Sequence, residues 1–153
     1  MKRLCVLPCG AKKIWDVEPD TGSIQAEHAY LSPFHRACQR YARTFFHDWV
    51  ILSGKHGFLK PDDCIPENYD VTFGSNQPEI IQMSELKQQY ATKHLDQFKE
   101  IVVLGGKKFR PIIGEVFQDR QQKVRYPLSK YKGIGYMLKA LNEAVEREEE
   151  INN

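Results

Sequence analysis

Leu4-Cys5-Val6-Leu7-Pro8-Cys9-Gly10 is an apolar run that stops at a proline and a glycine. Four successive apolar positions leave no polar face for water, so the run reads as a strand covered on both sides. The form recurs in Val50-Ile51-Leu52 ahead of Ser53-Gly54, and in Ile101-Val102-Val103-Leu104 ahead of Gly105-Gly106. A weaker copy, Lys123–Tyr126, ends at Pro127.

Helical spacing fills the intervals. Phe34, Ala37, Cys38, Tyr41, Ala42 and Phe45 follow Ser32-Pro33, a capping residue with a first-turn proline. Pro78 to Leu95 predicts a second helix with Ile80, Met83, Leu86 and Tyr90 inward, and Phe109 to Phe117 a third. Ile134, Met137, Leu138, Leu141 and Val145 mark a fourth, expected to fray in its glutamate-rich end, residues 147–153, where the helix dipole disfavours negative charge. Strands alternating with helices imply right-handed crossovers and a three-layer αβα domain on a short, four-stranded parallel sheet. In such folds ligands bind beyond the carboxyl ends of the strands, where strand order reverses. The loops Pro8–Lys13 and Gly54–Leu59 are therefore the expected site.

The chain has 153 residues, 41% hydrophobic and 27% charged, which suits one globular domain over residues 1–153. Its longest apolar runs are too short to span a bilayer or serve as a signal peptide, so a cytoplasmic protein is expected. Four cysteines without a C-x-x-C pair offer no zinc spacing, and no metal site is expected. The net charge of +2 neither demands nor excludes nucleic acid. Its distribution is more telling. Arg36, Arg40 and Arg43 share a helix face, Lys107, Lys108 and Arg110 follow the third strand, and Lys123, Arg125, Lys130 and Lys132 surround the fourth. Together they would form a cationic rim suited to a polyanion.

Four segments carry candidate chemistry. Pro8, Cys9 and Gly10 form a tight turn whose amides, with Lys12 and Lys13, suit an anion; turn amides and lysines would also lower the Cys9 thiol pKa. Ser53, Lys55, His56 and Gly57 follow a buried strand, with glycines that permit close approach of a ligand or another backbone. His56 is the one histidine with a positional argument; His28, His35, His47 and His94 read as surface residues. Asn68, Tyr69 and Asp70 lie in a long polar loop, where they suit a general base, a base-edge reader or Asx turns. Tyr30 and Phe34 flank a helix start and suit base stacking or a hydrophobic staple.

The ordered set Pro8-Cys9-Gly10-Ala11-Lys12-Lys13, Ile51-Leu52-Ser53-Gly54-Lys55-His56-Gly57-Phe58-Leu59, Asn68-Tyr69-Asp70, Val103-Leu104-Gly105-Gly106 and Pro127-Leu128 resembles a family of small bacterial domains with a PCG-x-K-K … ILS-x-K-x-G-L … Y-D pattern. That family more distantly resembles the uracil-DNA-glycosylase-like domains, including those of archaeal tRNA transglycosylases, and the peroxide-stress YaaA proteins. The resemblance implies a base-binding pocket at the strand ends and a nucleic-acid partner, DNA ahead of RNA. It also implies hydrolysis of the N-glycosidic bond of a modified base, with neither metal nor organic cofactor. Asp70 would supply the carboxylate, His56 or Lys55 the donor to the leaving base, and Phe34 or Tyr30 the stacking surface; Gly105 and Gly106 would line the pocket. Uracil glycosylases carry a water-activating aspartate just after the first strand, whereas this chain has no acid there before Asp16. A non-catalytic nucleic-acid-binding module and a nucleoside or nucleotide hydrolase or transferase are the rival expectations.

Overall fold

The computed structural model describes residues 2–152. In chain order its elements are β1 (Arg3–Pro8), β2 (Ile24–Gln25), α1 (Ala26–Ala29), α2 (Pro33–Phe45), β3 (Asp48–Ser53), β4 (Gly57–Leu59), β5 (Cys64–Ile65), α3 (Met83–Thr92), β6 (Glu100–Val103), α4 (Arg110–Val116), β7 (Lys123–Arg125) and α5 (Ile134–Arg147). The central sheet has five strands in the order β4-β3-β1-β6-β7. Four are the expected strands, all parallel, with Val6 opposite both Val50 and Val103. The expectation of an all-parallel sheet fails at β4. Gly57-Phe58-Leu59 turns back antiparallel on Ile51-Leu52-Ser53, because the tight turn at residues 54–56 leaves no room for a crossover. β2 and β5 form a separate two-stranded ribbon.

Alternation along β1 separates two cores. Cys5 and Leu7 face the side covered by α2 and α5, while Leu4 and Val6 face the side covered by α3 and α4. Ser32 caps α2, its Oγ accepting from the His35 amide at 3.2 Å, with Pro33 in the first turn. The helix expected from Pro78 begins only at Met83. Ahead of it, the Ile81 amide donates to the Gly54 carbonyl at 2.7 Å, which holds this segment against the end of β3. It stops at Thr92, before His94 in the left-handed region at φ 56°.

The acidic C-terminus, expected to fray, carries specific contacts. Arg3 grips Glu150 with two hydrogen bonds at 2.6 and 3.1 Å, and the Ile151 amide donates to the Tyr41 hydroxyl at 3.0 Å. Ion pairing on the first strand thus offsets the unfavourable dipole at the helix end. Among the described residues no helix is long and apolar enough to cross a membrane.

Candidate functional site

Connections leave β1 and β6 in opposite directions, so the carboxyl ends of these two strands flank the switch point of the sheet. A cavity of about 480 Å³ opens there. Its floor is Pro8–Ala11 from β1 and Gly105–Phe109 from β6. Tyr69 to Phe73 form one wall, and Phe34 with Gly133, Ile134 and Met137 complete the cavity. The walls are largely apolar, but Lys13, Lys107, Lys108 and Asp70 also line it.

Lys13 is the unusual member. Its backbone bridges to Tyr30, the Leu31 amide donates to the Lys12 carbonyl at 3.0 Å, and the Lys13 amide donates to Asp16 Oδ2 at 2.8 Å. These bonds turn Lys12 out to solvent and Lys13 inward, where it is only 4% exposed. Its ammonium donates to the Ala11 carbonyl at 3.1 Å and stands over the Tyr69 ring at 4.6 Å. Among the described residues no carboxylate lies within ion-pairing distance of it. A buried ammonium without a counter-ion is costly, and an anionic or strongly polarised ligand would remove that cost.

Tyr69 links the cavity to the interior. Its hydroxyl is hydrogen-bonded to that of Tyr30 and accepts from Ser53 Oγ at 2.9 Å. Ser53 Oγ in turn accepts from the amides of His56 and Lys55, at 3.1 and 3.3 Å. Burial pushes the Tyr69 pKa up to about 12 and that of Tyr30 further, so both stay protonated and the chain of hydroxyls is a positioning device. His56 packs edge-on behind Tyr69 with ring centres 4.9 Å apart, outside the cavity lining. Its Nε2 is buried without a partner, and burial, aided by Lys55, lowers its pKa.

Pro8, Cys9, Gly10, Lys13, Phe34, Tyr69, Asp70, Gly105 and Gly106 thus line one cavity. Lys12, Tyr30, Ser53, Lys55, His56, Gly57 and Asn68 do not line it. Gly57 has φ 72° and no space for a side chain, since a Cβ would come within 2.2 Å of Gln89 Oε1. What approaches this glycine is therefore Gln89, which accepts from the Phe58 amide at 2.8 Å and donates to the His56 carbonyl at 2.9 Å. Asn68 Oδ1 accepts from the Tyr69 amide at 2.9 Å, a local turn contact.

Two further expectations are corrected. Burial pushes the Cys9 thiol pKa up, outweighing the Gly54 backbone hydrogen bond and the nearby Lys13 and Lys108, so no activated thiolate forms. His35, expected at the surface, is buried: Nδ1–H donates to the Pro8 carbonyl at 2.8 Å and Nε2 accepts from Gln39 Nε2 at 2.9 Å. Carbonyl and amide each leave one role open, so the network assigns the neutral Nδ1–H tautomer. The ring braces the strand end that floors the cavity.

Sequence reasoning missed the walls at Val71–Phe73 and Gly133–Met137. Gly133-Ile134-Gly135, two glycines around an apolar residue after a lysine-rich loop, was the available signal for the second. There Gly133 has φ 98° and Ile134 stands 62% exposed.

The profile of a family of unknown function, DUF6884, matches residues 5–143 and so takes in every residue lining the cavity. The uncharacterised protein YfjM of Bacillus subtilis (strain 168) is 59% identical over 151 residues, 99% of this chain and 100% of that protein. A match of this extent, running from β1 into α5, makes the chain a member of the DUF6884 family.

Proposed function

We propose that the cavity seats one nucleotide of a nucleic acid, DNA by preference, and hydrolyses its N-glycosidic bond. The observation that carries this reading is Lys13, a buried ammonium without a carboxylate partner in an apolar-walled cavity large enough for a base and its sugar. A base leaving from C1′ takes the bonding electron pair and becomes anionic unless a donor meets it. A preorganised cation in a dry pocket stabilises that developing charge. Lys13 takes the donor role expected of His56 or Lys55, and Phe34 and Tyr69 supply aromatic surface for the base.

Asp70 lies exposed at the rim of the cavity. It stabilises the oxocarbenium sugar and accepts the proton of the water whose oxygen bonds to C1′. Lys107 and Lys108 at the mouth face the phosphates. The resemblance to uracil-DNA-glycosylase-like domains supports a base pocket at these strand ends, with Asp70 standing in for the aspartate that those enzymes carry after the first strand.

The test is release of free base from oligonucleotides carrying a panel of modified bases, analysed by chromatography. The wild-type protein releases base; Asp70→Asn binds the same oligonucleotide but releases base at least about a hundredfold more slowly. Binding without release by the wild-type protein would leave a binding module, and unaltered release by Asp70→Asn would overturn the role given to Asp70.

A further inference from the structure

A second cavity, of about 250 Å³, is lined by Arg110, Val124, Tyr126, Pro127, Ser129 and Lys130. Two of the segments that wall it also reach the first. Lys107, Lys108 and Phe109 line the nucleotide cavity and Arg110 the second; Pro127, Ser129 and Lys130 line the second and Gly133 and Ile134 the first. The two cavities share no lining residue, but both of these segments pass from one to the other, so they lie side by side between the switch point and β7.

Its chemistry is one-sided. No acidic residue lines the second cavity, and Asp70 is the one acid in the first. Lys107, Lys108, Arg110 and Lys130 are all exposed. The Arg110 guanidinium lies 4.4 Å over the half-buried Tyr126 ring, a flat cationic platform. Lys130, in the lining of the second cavity, spends one donor on the Asn152 carbonyl at 2.7 Å and keeps two. Ile134, in the lining of the first cavity, is 62% exposed and adds apolar surface there. Spaced cations interleaved with aromatic and apolar surface fit a sugar–phosphate backbone with its bases unstacked, and a free nucleoside would use none of the second cavity.

We propose that the Lys107–Arg110–Lys130 surface is a track for a single nucleic-acid strand. The strand enters beside β7, its phosphates meet Arg110 and Lys130, and one nucleotide turns into the cavity above Lys13. This rests on the nucleotide reading of that cavity, and it assigns the substrate to the single strand rather than the duplex.

The experiment pairs two ligands. Fluorescence anisotropy follows a labelled single strand of about twelve nucleotides, and equilibrium dialysis follows the corresponding nucleoside monophosphates. Arg110→Gln/Lys130→Gln is expected to bind the strand roughly tenfold more weakly near 50 mM salt. The slope of log affinity against log salt should fall by about 1 to 1.5, as for two lost phosphate contacts, with monophosphate affinity unchanged. Lys13→Met should weaken both ligands. Unaltered strand binding by the double variant overturns the track, as does tighter binding of the matching duplex than of the single strand. Binding of monophosphate but not strand by the wild-type protein overturns the track and the polymer substrate, and keeps only a nucleotide-binding cavity. Binding of neither removes both.

Discussion

The Lys13 ammonium stands 4.6 Å over the Tyr69 ring, so the one buried ammonium among the described residues is faced by a π-surface rather than a carboxylate. A ring quadrupole returns only part of the solvation that an ammonium loses on burial. The arrangement makes sense for a site that waits for an incoming negative charge.

Lys13→Met follows directly. Replacing an uncompensated buried charge with an apolar chain of similar length should leave stability unchanged or raise it by up to about 2 kcal/mol. Thermal unfolding in the absence of ligand measures this. A fall of more than about 2 kcal/mol would mean that the ammonium serves the fold rather than a ligand.

His35 sets an acid limit on stability. Burial lowers its pKa to about 4, from an ordinary value of 6.5, against the smaller opposing effect of the Pro8 carbonyl. Because the folded pKa lies below the unfolded one, the contribution is complete above pH 6.5 and is lost as pH falls from there toward 4. At full extent it is worth about 3 kcal/mol. His56, also lowered, adds in the same direction, and Asp63, held low chiefly by the Lys93 hydrogen bond against its own desolvation, adds a further loss below its ordinary range. Urea unfolding at a series of pH values should show the slope, and His35→Gln should flatten most of it.

Two glycines near the cavity should behave oppositely. A Cβ on Gly54 would meet the Val71 carbonyl oxygen at 2.8 Å, and backbone is slow to give way, so Gly54→Ala should cost about 1–3 kcal/mol. The displaced Val71–Phe73 wall should also weaken ligand binding. Gly106 has open space around its Cβ position, and Gly106→Ala should stay within about 0.5 kcal/mol of the wild-type protein. Chemical denaturation of the two variants side by side gives the comparison.

Much of the fold was legible because buried parallel strands write themselves as apolar runs ended by breakers. Leu4–Leu7, Val50–Leu52 and Ile101–Leu104 needed no more than that. Gly57-Phe58-Leu59 was not legible as a strand, since three residues after a tight turn carry too short a period to separate from a loop. The cavity opens at the carboxyl ends of the strands, where the expected loops lie, but across β1 and β6 rather than beside β3. What sequence does not carry is strand order, and it is the order β3-β1-β6 that moves the crevice to Gly105–Phe109. Lys12 and Lys13 are chemically identical neighbours; only the backbone pairing of residues 12–13 with 30–31 sends one to water and the other inside. His56 misled for the opposite reason, as its loop faces Gln89 and Tyr69 instead of the cavity.

The outermost strands, β4 and β7, have three residues each, and β7 shows its Lys123 and Arg125 side chains to solvent. Edges this short, one of them charged, offer a second chain almost no ladder to extend. The sheet is thereby protected against edge-to-edge aggregation, even though Ile134 leaves apolar surface open beside the cavity.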